Sequence, residues 1–239
     1  MRGQSRSTCS GTSDTNGRMS GPCHSAIAAP PSCVPAGKSQ KWQMAVTHAE
    51  PPRLTSAALL LPMEEGRCYV FLSEHHASTR PQGWDELLTA LHELKTTTIY
   101  DAVCDLTPLE DLRHFVLDES RWRHFERLER LPMGVLPIAD SLCRFNPIYG
   151  QGMSVAARQA KLLHDVLGRV AEEADPIAAL QVQFMADVGA VLQAPWMMGV
   201  NADFAYPGTR GERPERYEES QQFEASLFRA NPHSRMQRG

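Results

Sequence analysis

The sequence predicts an α+β fold, and three observations carry that reading. Ser56–Pro62 and residues 67–73 are two β-prone runs separated by Met63-Glu-Glu-Gly66, the spacing of a hairpin with glycine in its turn. Apolar residues recur at helical spacing over residues 84–94, 151–169 and 177–192. Between the sheet-like and helical parts lies Leu136-Pro-Ile-Ala-Asp-Ser-Leu-Cys-Arg-Phe-Asn-Pro-Ile-Tyr-Gly-Gln-Gly-Met153. It reads as a short apolar strand, a carboxylate where the strand runs out, a Pro/Gly-rich turn and the start of a long helix.

Residues 1–40 stand apart. They are rich in Ser, Gly, Pro and Thr, poor in large apolar residues and without period, a composition that buries too little surface to offset ordering entropy. They are expected to be disordered, or to be a mis-assigned start. From Trp42 the character changes to the hairpin, followed by an amphipathic helix with Trp84, Leu87, Leu88, Leu91 and Leu94 on one face. A short helix is expected over residues 98–105, and separate strands over residues 113–117 and 122–125. After the long motif helix, Asp175-Pro176 marks the start of another, because proline is tolerated in a first helical turn. Its expected apolar face carries Leu180, Phe184, Val188 and Val191. The cluster Pro195-Trp-Met-Met198, a polar loop over residues 206–214 and a last helix over residues 215–229 complete the chain. The expected organisation is 1–40, then 41–130 as sheet and helices, then 131–239 as strand, motif helix and helical tail.

The chemistry resides in the central run. Asn146-Pro147 sets a turn, since proline fixes its own φ and moves the preceding residue out of the helical region. Gly150 and Gly152 let backbone approach a ligand with no Cβ in the way. From Gln151 the helix presents its first amides, with the positive end of its dipole, to whatever sits at the turn. Asp140 followed by Phe145-Asn-Pro-Ile-Tyr-Gly-Gln-Gly-Met153 resembles the second flavin-binding motif of FAD-dependent oxidoreductases of the aromatic-hydroxylase type. That superfamily includes p-hydroxybenzoate hydroxylase-like and squalene epoxidase-like monooxygenases. The resemblance implies that Asp140 accepts hydrogen bonds from the ribityl chain and that Pro147 lines the flavin. It also places Gly150, Gln151, Gly152 and Met153 where the helix amides approach the flavin O2. One departure is visible: Ala139 precedes the aspartate, where the family usually has glycine.

The same resemblance implies the architecture. Residues 41–130 correspond to part of a substrate-domain mixed sheet, and residues 131–239 to the C-terminal flavin-facing strand and helices. Tyr100-Asp101-Ala102 after the threonines, and Trp122-Arg-His-Phe before the flavin strand, agree with it. The dinucleotide-binding βαβ unit is missing: G-x-G-x-x-G occurs nowhere, and the Gly150–Gly152 pair comes too late in the chain to serve. The chain therefore reads as the C-terminal portion of such an enzyme, with an incomplete FAD site and apolar surface left uncovered.

Other chemistry finds little support. A net charge of −4 gives no electrostatic reason to invoke nucleic acid or an anionic membrane. The six cysteines form no C-x-x-C pair, so neither a zinc site nor a disulfide framework is expected. Cys68 and Cys104 read as small buried hydrophobes, and Cys143 lies beside the proposed flavin edge. His75-His76 read as surface residues, no metal-binding histidine pattern occurs, and no G-x-S-x-G elbow is present. No apolar run reads as a membrane span and no signal peptide is visible, so cytoplasmic residence is expected.

Two functional readings follow. In the first, the chain is part of an FAD-dependent monooxygenase acting on an apolar or aromatic small molecule through a flavin hydroperoxide. NAD(P)H is the implied co-substrate of intact relatives. The halogenase branch is disfavoured because its Trp-x-Trp-x-Ile-Pro motif is absent, while a reductase of isoprenoid double bonds stays an alternative. In the second, the chain is a catalytically inactive remnant or an α+β interaction domain, or it pairs with a separate nucleotide-binding chain.

Overall fold

The structure, a computed structural model, describes residues 18–33, 43–75 and 80–230. A six-stranded sheet is followed by a helical layer. The strands are β1 (Arg18–Cys33), β2 (Ala45–Thr47), β3 (Ser56–Pro62), β4 (Arg67–His75), β5 (Arg113–Trp122) and β6 (Cys143–Arg144). Their order is β2-β3-β4-β1-β5-β6, and every pair is antiparallel, where a mixed sheet was expected. The helices are α1 (Trp84–His92), α2 (Thr98–Val103), α3 (Gly152–Val170), α4 (Pro176–Asp203) and α5 (Tyr217–Ala230).

The hairpin expectation holds in detail. Leu60 pairs with Val70 and Pro62 with Cys68, and the Met63 amide closes the turn on the Arg67 carbonyl at 2.7 Å. Glu65 and Gly66 both lie at left-handed φ, 61° and 68°, which is why a glycine is useful in this turn. One face of the sheet, with Ala58, Leu60, Cys68, Val70 and Leu72, packs on Leu87 and Leu91 of α1 and Ile99 and Val103 of α2. Strand alternation puts Leu59, Leu61, Tyr69 and Phe71 on the opposite face, and pairing carries that face to Val46 in β2 and Phe115 in β5. Val46, Leu61, Tyr69 and Phe115 are exposed there.

Strand β1 corrects the expectation of disorder over residues 1–40, of which residues 1–17 and 34–40 lie outside the described residues. Its composition is unfavourable, but a strand between two others is held by ladders on both sides, and backbone bonding needs no particular side chain. The prolines fall where the ladders break. Pro22 lies in the register shift toward β5, between Ser20 and His24, and Pro30 and Pro31 lie in the shift toward β4, between Ala29 and Ser32. A residue without an N–H is tolerated at such irregularities.

Three further expectations change. Residues 113–117 and 122–125 belong to one strand and its exit: β5 runs to Trp122, and Phe125–Arg127 is a 3-10 turn. Residues 136–138 form no strand. Ile138 is extended, with φ −139° and ψ 165°, but no strand among the described residues lies beside it to form a ladder. The edge pairing is made instead by β6, whose Cys143 faces Trp122. Finally, α4 does not stop near residue 192 but runs through Pro195 to Asp203, and is long and apolar enough by length and composition to cross a membrane. Its Phe184, Val188, Leu192, Trp196 and Val200 pack with Trp122, Leu142, Phe145 and Val155 in a second core, while Ile177, Val182 and Met198 are exposed. The start of α4 is as read: the Asp175 carboxylate accepts from the Ala178 amide at 3.1 Å, with Pro176 in the first turn.

Candidate flavin-binding site

The Asp140 carboxylate sits on a 3-10 turn, Ala139–Ser141, that three other elements hold in place. From α4, the Gln181 side-chain amide donates to the carbonyls of Pro132 and Val135, both at 2.7 Å, fastening the segment that leads in. From α3, the buried Gln159 side chain accepts from the Ala139 amide at 2.8 Å. Just beyond β5, Arg123 donates to the carbonyls of Asp140 and Ser141, both at 3.1 Å. Within the turn, the Ser141 hydroxyl accepts from the Ile138 amide at 2.9 Å and donates to the Ile138 carbonyl. The Asp140 residue itself is exposed.

Ala139 has φ +50°, a conformation that L residues other than glycine seldom adopt. The position where the resembling flavin motif usually has glycine thus keeps, in this chain, a backbone suited to glycine. The strain is of the order of 1–2 kcal/mol, and the bonds from Gln159 and Arg123 oppose it.

The Pro/Gly turn is built as the sequence implies. Asn146 precedes the 3-10 turn Pro147–Tyr149, and its Oδ1 accepts from the Ile148 amide at 3.2 Å. Gly150 closes that turn at φ +65°, and α3 begins at Gly152 with no side-chain cap. A Cβ added at either Gly150 or Gly152 would meet nothing within 4 Å. Met153 is 86% exposed, an unusual position for a large apolar side chain. The Oε1 of Gln151 and the Nε2 of Gln159 are buried without a hydrogen-bond partner in the structure. Open space at both glycines and an uncapped helix start leave room for a polar planar group laid across the start of α3, whereas the buried Gln151 Oε1 lies beside Gly199 of α4. Of the sequence-derived residues, Pro147, Gly150, Gln151, Gly152 and Met153 are contiguous at that helix start. Asp140 is tied to the same helix through Ala139 and Gln159, about two helical turns further along.

The structure adds residues that carry no motif signal. Asp203, the last residue of α4, is buried, and its Oδ1 accepts from Asn146 Nδ2 at 3.0 Å and the Tyr149 hydroxyl at 2.8 Å. Its Oδ2 lies 3.4 Å from the Ser120 hydroxyl, and His75 Nε2 lies 3.6 Å from Oδ1. His75 stacks on Tyr206 with ring centroids 3.6 Å apart, and burial followed by the Asp203 charge pushes the Tyr206 phenol up to about 12. His75, expected at the surface, is therefore buried; its neighbour His76 lies outside the described residues. Partners separated by 54 to 128 residues in sequence, from Tyr149 to His75 (203 − 75), leave no spacing pattern to find.

Cys68 and Cys143 are buried and Cys104 is half-buried. Burial, reinforced by the Glu126 and Asp140 carboxylates, pushes the Cys143 thiol far above its ordinary range, so it stays protonated and unreactive beside the site. No cluster of His, Cys, Asp and Glu suited to a metal occurs among the described residues. A cavity of about 440 Å³ lies between β3, β4 and α1, lined by Arg53, Glu74, Arg80, Glu86 and Lys95 among others; it contains none of the motif residues.

No family model matches the sequence. Over 87 residues, 36% of this chain, it is 32% identical to Protein Rv3254 of Mycobacterium tuberculosis (strain ATCC 25618 / H37Rv), covering 18% of that protein. Among solved structures it is similar to CmlS, a flavin-dependent halogenase, with TM-score 0.55 and 16% identity over 89% of this chain and 39% of that chain. It is similar to pqsL, a probable FAD-dependent monooxygenase from Pseudomonas aeruginosa, with TM-score 0.53 and 16% identity over 86% and 51%. A flavoprotein/dehydrogenase from Cytophaga hutchinsonii gives TM-score 0.54 and 10% identity over 78% and 43%. The chain thus spans between 39% and 51% of the length of these three structures. Its fold is similar to part of the fold of these flavin-dependent structures.

Proposed function

We propose that this chain is part of an FAD-dependent oxidoreductase, a monooxygenase acting on an apolar or aromatic small molecule. The observation that carries this reading is the cradle at the start of α3. There a strained, triply anchored aspartate turn and a left-handed glycine flank an uncapped helix N-terminus with open space above it. A bound FAD would supply acceptance of hydride from NAD(P)H and activation of dioxygen for transfer of one oxygen atom.

The residues divide the remaining work. Asp140 would accept hydrogen bonds from the ribityl hydroxyls, and Pro147 would lie against the ring. Gly150 and Gly152 admit the ring edge because they carry no Cβ. The amides of Gln151, Gly152 and Met153, with the α3 dipole behind them, would stabilise negative charge on a bound flavin by up to about 2 kcal/mol in partly buried geometry. On the substrate side, the sheet face with Leu59, Leu61, Tyr69 and Phe71 would exclude water and receive an apolar molecule. That face meets the turn through His75 at the end of β4 and Asp203. Cytoplasmic residence and the absence of a nucleic-acid partner belong to the same reading.

A second reading is favoured by one observation: among the described residues no two strands are parallel, so no βαβ nucleotide unit is present. In that case the chain is a non-catalytic α+β domain, or a separate nucleotide-binding chain completes the site. FAD titration of the purified chain by flavin fluorescence quenching, with Asp140→Ala beside it, separates the two. Micromolar binding lost in the variant supports the self-sufficient site. A folded chain that binds no FAD alone supports the second reading.

A further inference from the structure

We propose that Asp203 is the positioning residue of the cofactor-binding turn, setting where Pro147, Gly150 and the first amides of α3 lie; the role toward the cofactor rests on the flavin reading above. A single carboxylate oxygen, Oδ1, is bonded to both ends of the same short turn. Asn146 Nδ2 at its entry is 3.0 Å away, and the Tyr149 hydroxyl at its last residue is 2.8 Å away. Asn146 passes the constraint inward through its own Oδ1 to the Ile148 amide at 3.2 Å. Gly150 and α3 follow directly, so a shift of Tyr149 displaces the helix start. Two further bonds fix Asp203 itself: Ser120 of β5 to Oδ2 at 3.4 Å, and the Thr209 hydroxyl to its carbonyl at 2.6 Å.

Stability of α4 does not explain an aspartate at this place. A helix C-terminus is the unfavourable end of the dipole for an anion, and a buried carboxylate is costly unless several donors surround it. The donors here come from the turn and from β5, with His75 Nε2 of β4 3.6 Å away, so the charge is held by the parts it aligns. His75 also ends the strand that carries Tyr69 and Phe71, which links the proposed substrate face to the turn through one side chain.

The test uses the full chain with Tyr149→Phe and Asp203→Asn. Val103→Ala, in the separate core beneath α1 and α2, serves as a variant destabilised elsewhere. Hydrogen exchange of the apo chains, read on the peptide spanning residues 147–155, is expected to quicken about tenfold in both turn variants and to stay unchanged in Val103→Ala. FAD affinity is expected to fall about tenfold in Tyr149→Phe but not in Val103→Ala, although the melting temperature falls in both. Tyr149→Phe keeps the ring and removes only the hydroxyl, so it decides the matter if Asp203→Asn does not fold. Unchanged exchange over residues 147–155 in a folded Tyr149→Phe chain overturns the proposal. A wild-type chain that binds no FAD, with exchange altered as expected, overturns a self-sufficient flavin site and leaves Asp203 as the residue that positions this turn.

Discussion

Ala139→Gly should stabilise this protein, although glycine in place of alanine ordinarily destabilises. Ala139 lies at φ +50°, where a Cβ costs about 1–2 kcal/mol that glycine does not incur. Against that gain stands the larger entropy of glycine in the unfolded chain, about 0.5–1 kcal/mol. The Ala139 methyl is half-exposed, so little packing is lost with it. The net expectation is a stabilisation of about 0.5–1 kcal/mol, which for a chain of this size raises Tm by roughly 1–4 °C. Gly150→Ala makes the complementary case. At φ +65°, with nothing within 4 Å of an added Cβ, it suffers strain without overlap and should lose a similar amount. In a turn of ordinary backbone both signs would be reversed. Thermal unfolding followed by circular dichroism, with urea melts to check that the slope m is unchanged, reads both variants. A fall in Tm for Ala139→Gly together with a rise for Gly150→Ala would refute the left-handed assignment and the strained cradle built on it.

Three further outcomes are expected. Asp175→Ala removes the N-cap of α4 and should cost about 1 kcal/mol in urea unfolding, while Asp175→Asn, which keeps an acceptor, should cost less. Phe184→Ala empties a fully buried position in the core of α4 and should cost about 3–5 kcal/mol, a large fraction of a typical stability of about 5–15 kcal/mol, read as a lowered urea midpoint. Burial raises the carboxyl of Glu74 above its ordinary value near 4.5, so the folded state binds its proton more tightly than the unfolded state does. Its contribution to stability is full below that value and is lost as pH rises through the raised one. Glu74→Gln should therefore raise Tm at pH 7 relative to wild type and leave it unchanged near pH 3.

The parts legible in the sequence are those whose physics is local. The β3–β4 hairpin shows in two apolar runs around a glycine turn, α1 and α3 in their periodicity, and the start of α4 in Asp175-Pro176. The contiguous Pro147–Met153 turn shows because proline and glycine state their backbone demands in the chain itself. Where competing local signals exist, tertiary packing overrides them. The helix read over residues 177–192 gives way in sequence to the cluster Pro195-Trp-Met-Met198, yet α4 continues because Trp196 and Val200 find places in the core. Leu136 and Ile138 read as a strand, yet no neighbour is there to pair with them.

By itself, then, the sequence determined the α+β class, the hairpin, the amphipathic helices and the order strand-like segment, Asp140, turn, helix. Periodicity and turn chemistry act within a few residues and need no fold to operate. Only the tertiary structure decided that the Pro- and Gly-rich segment 18–33 is an interior strand, since its bonds come from β4 and β5 on either side. The tertiary structure also decided that Ala139 occupies the backbone of a glycine, and that Asp203 meets Asn146, Tyr149, Ser120 and His75. Such a buried network depends on groups brought together from distant parts of the chain, and a buried charge becomes recognisable only when its donors are in place.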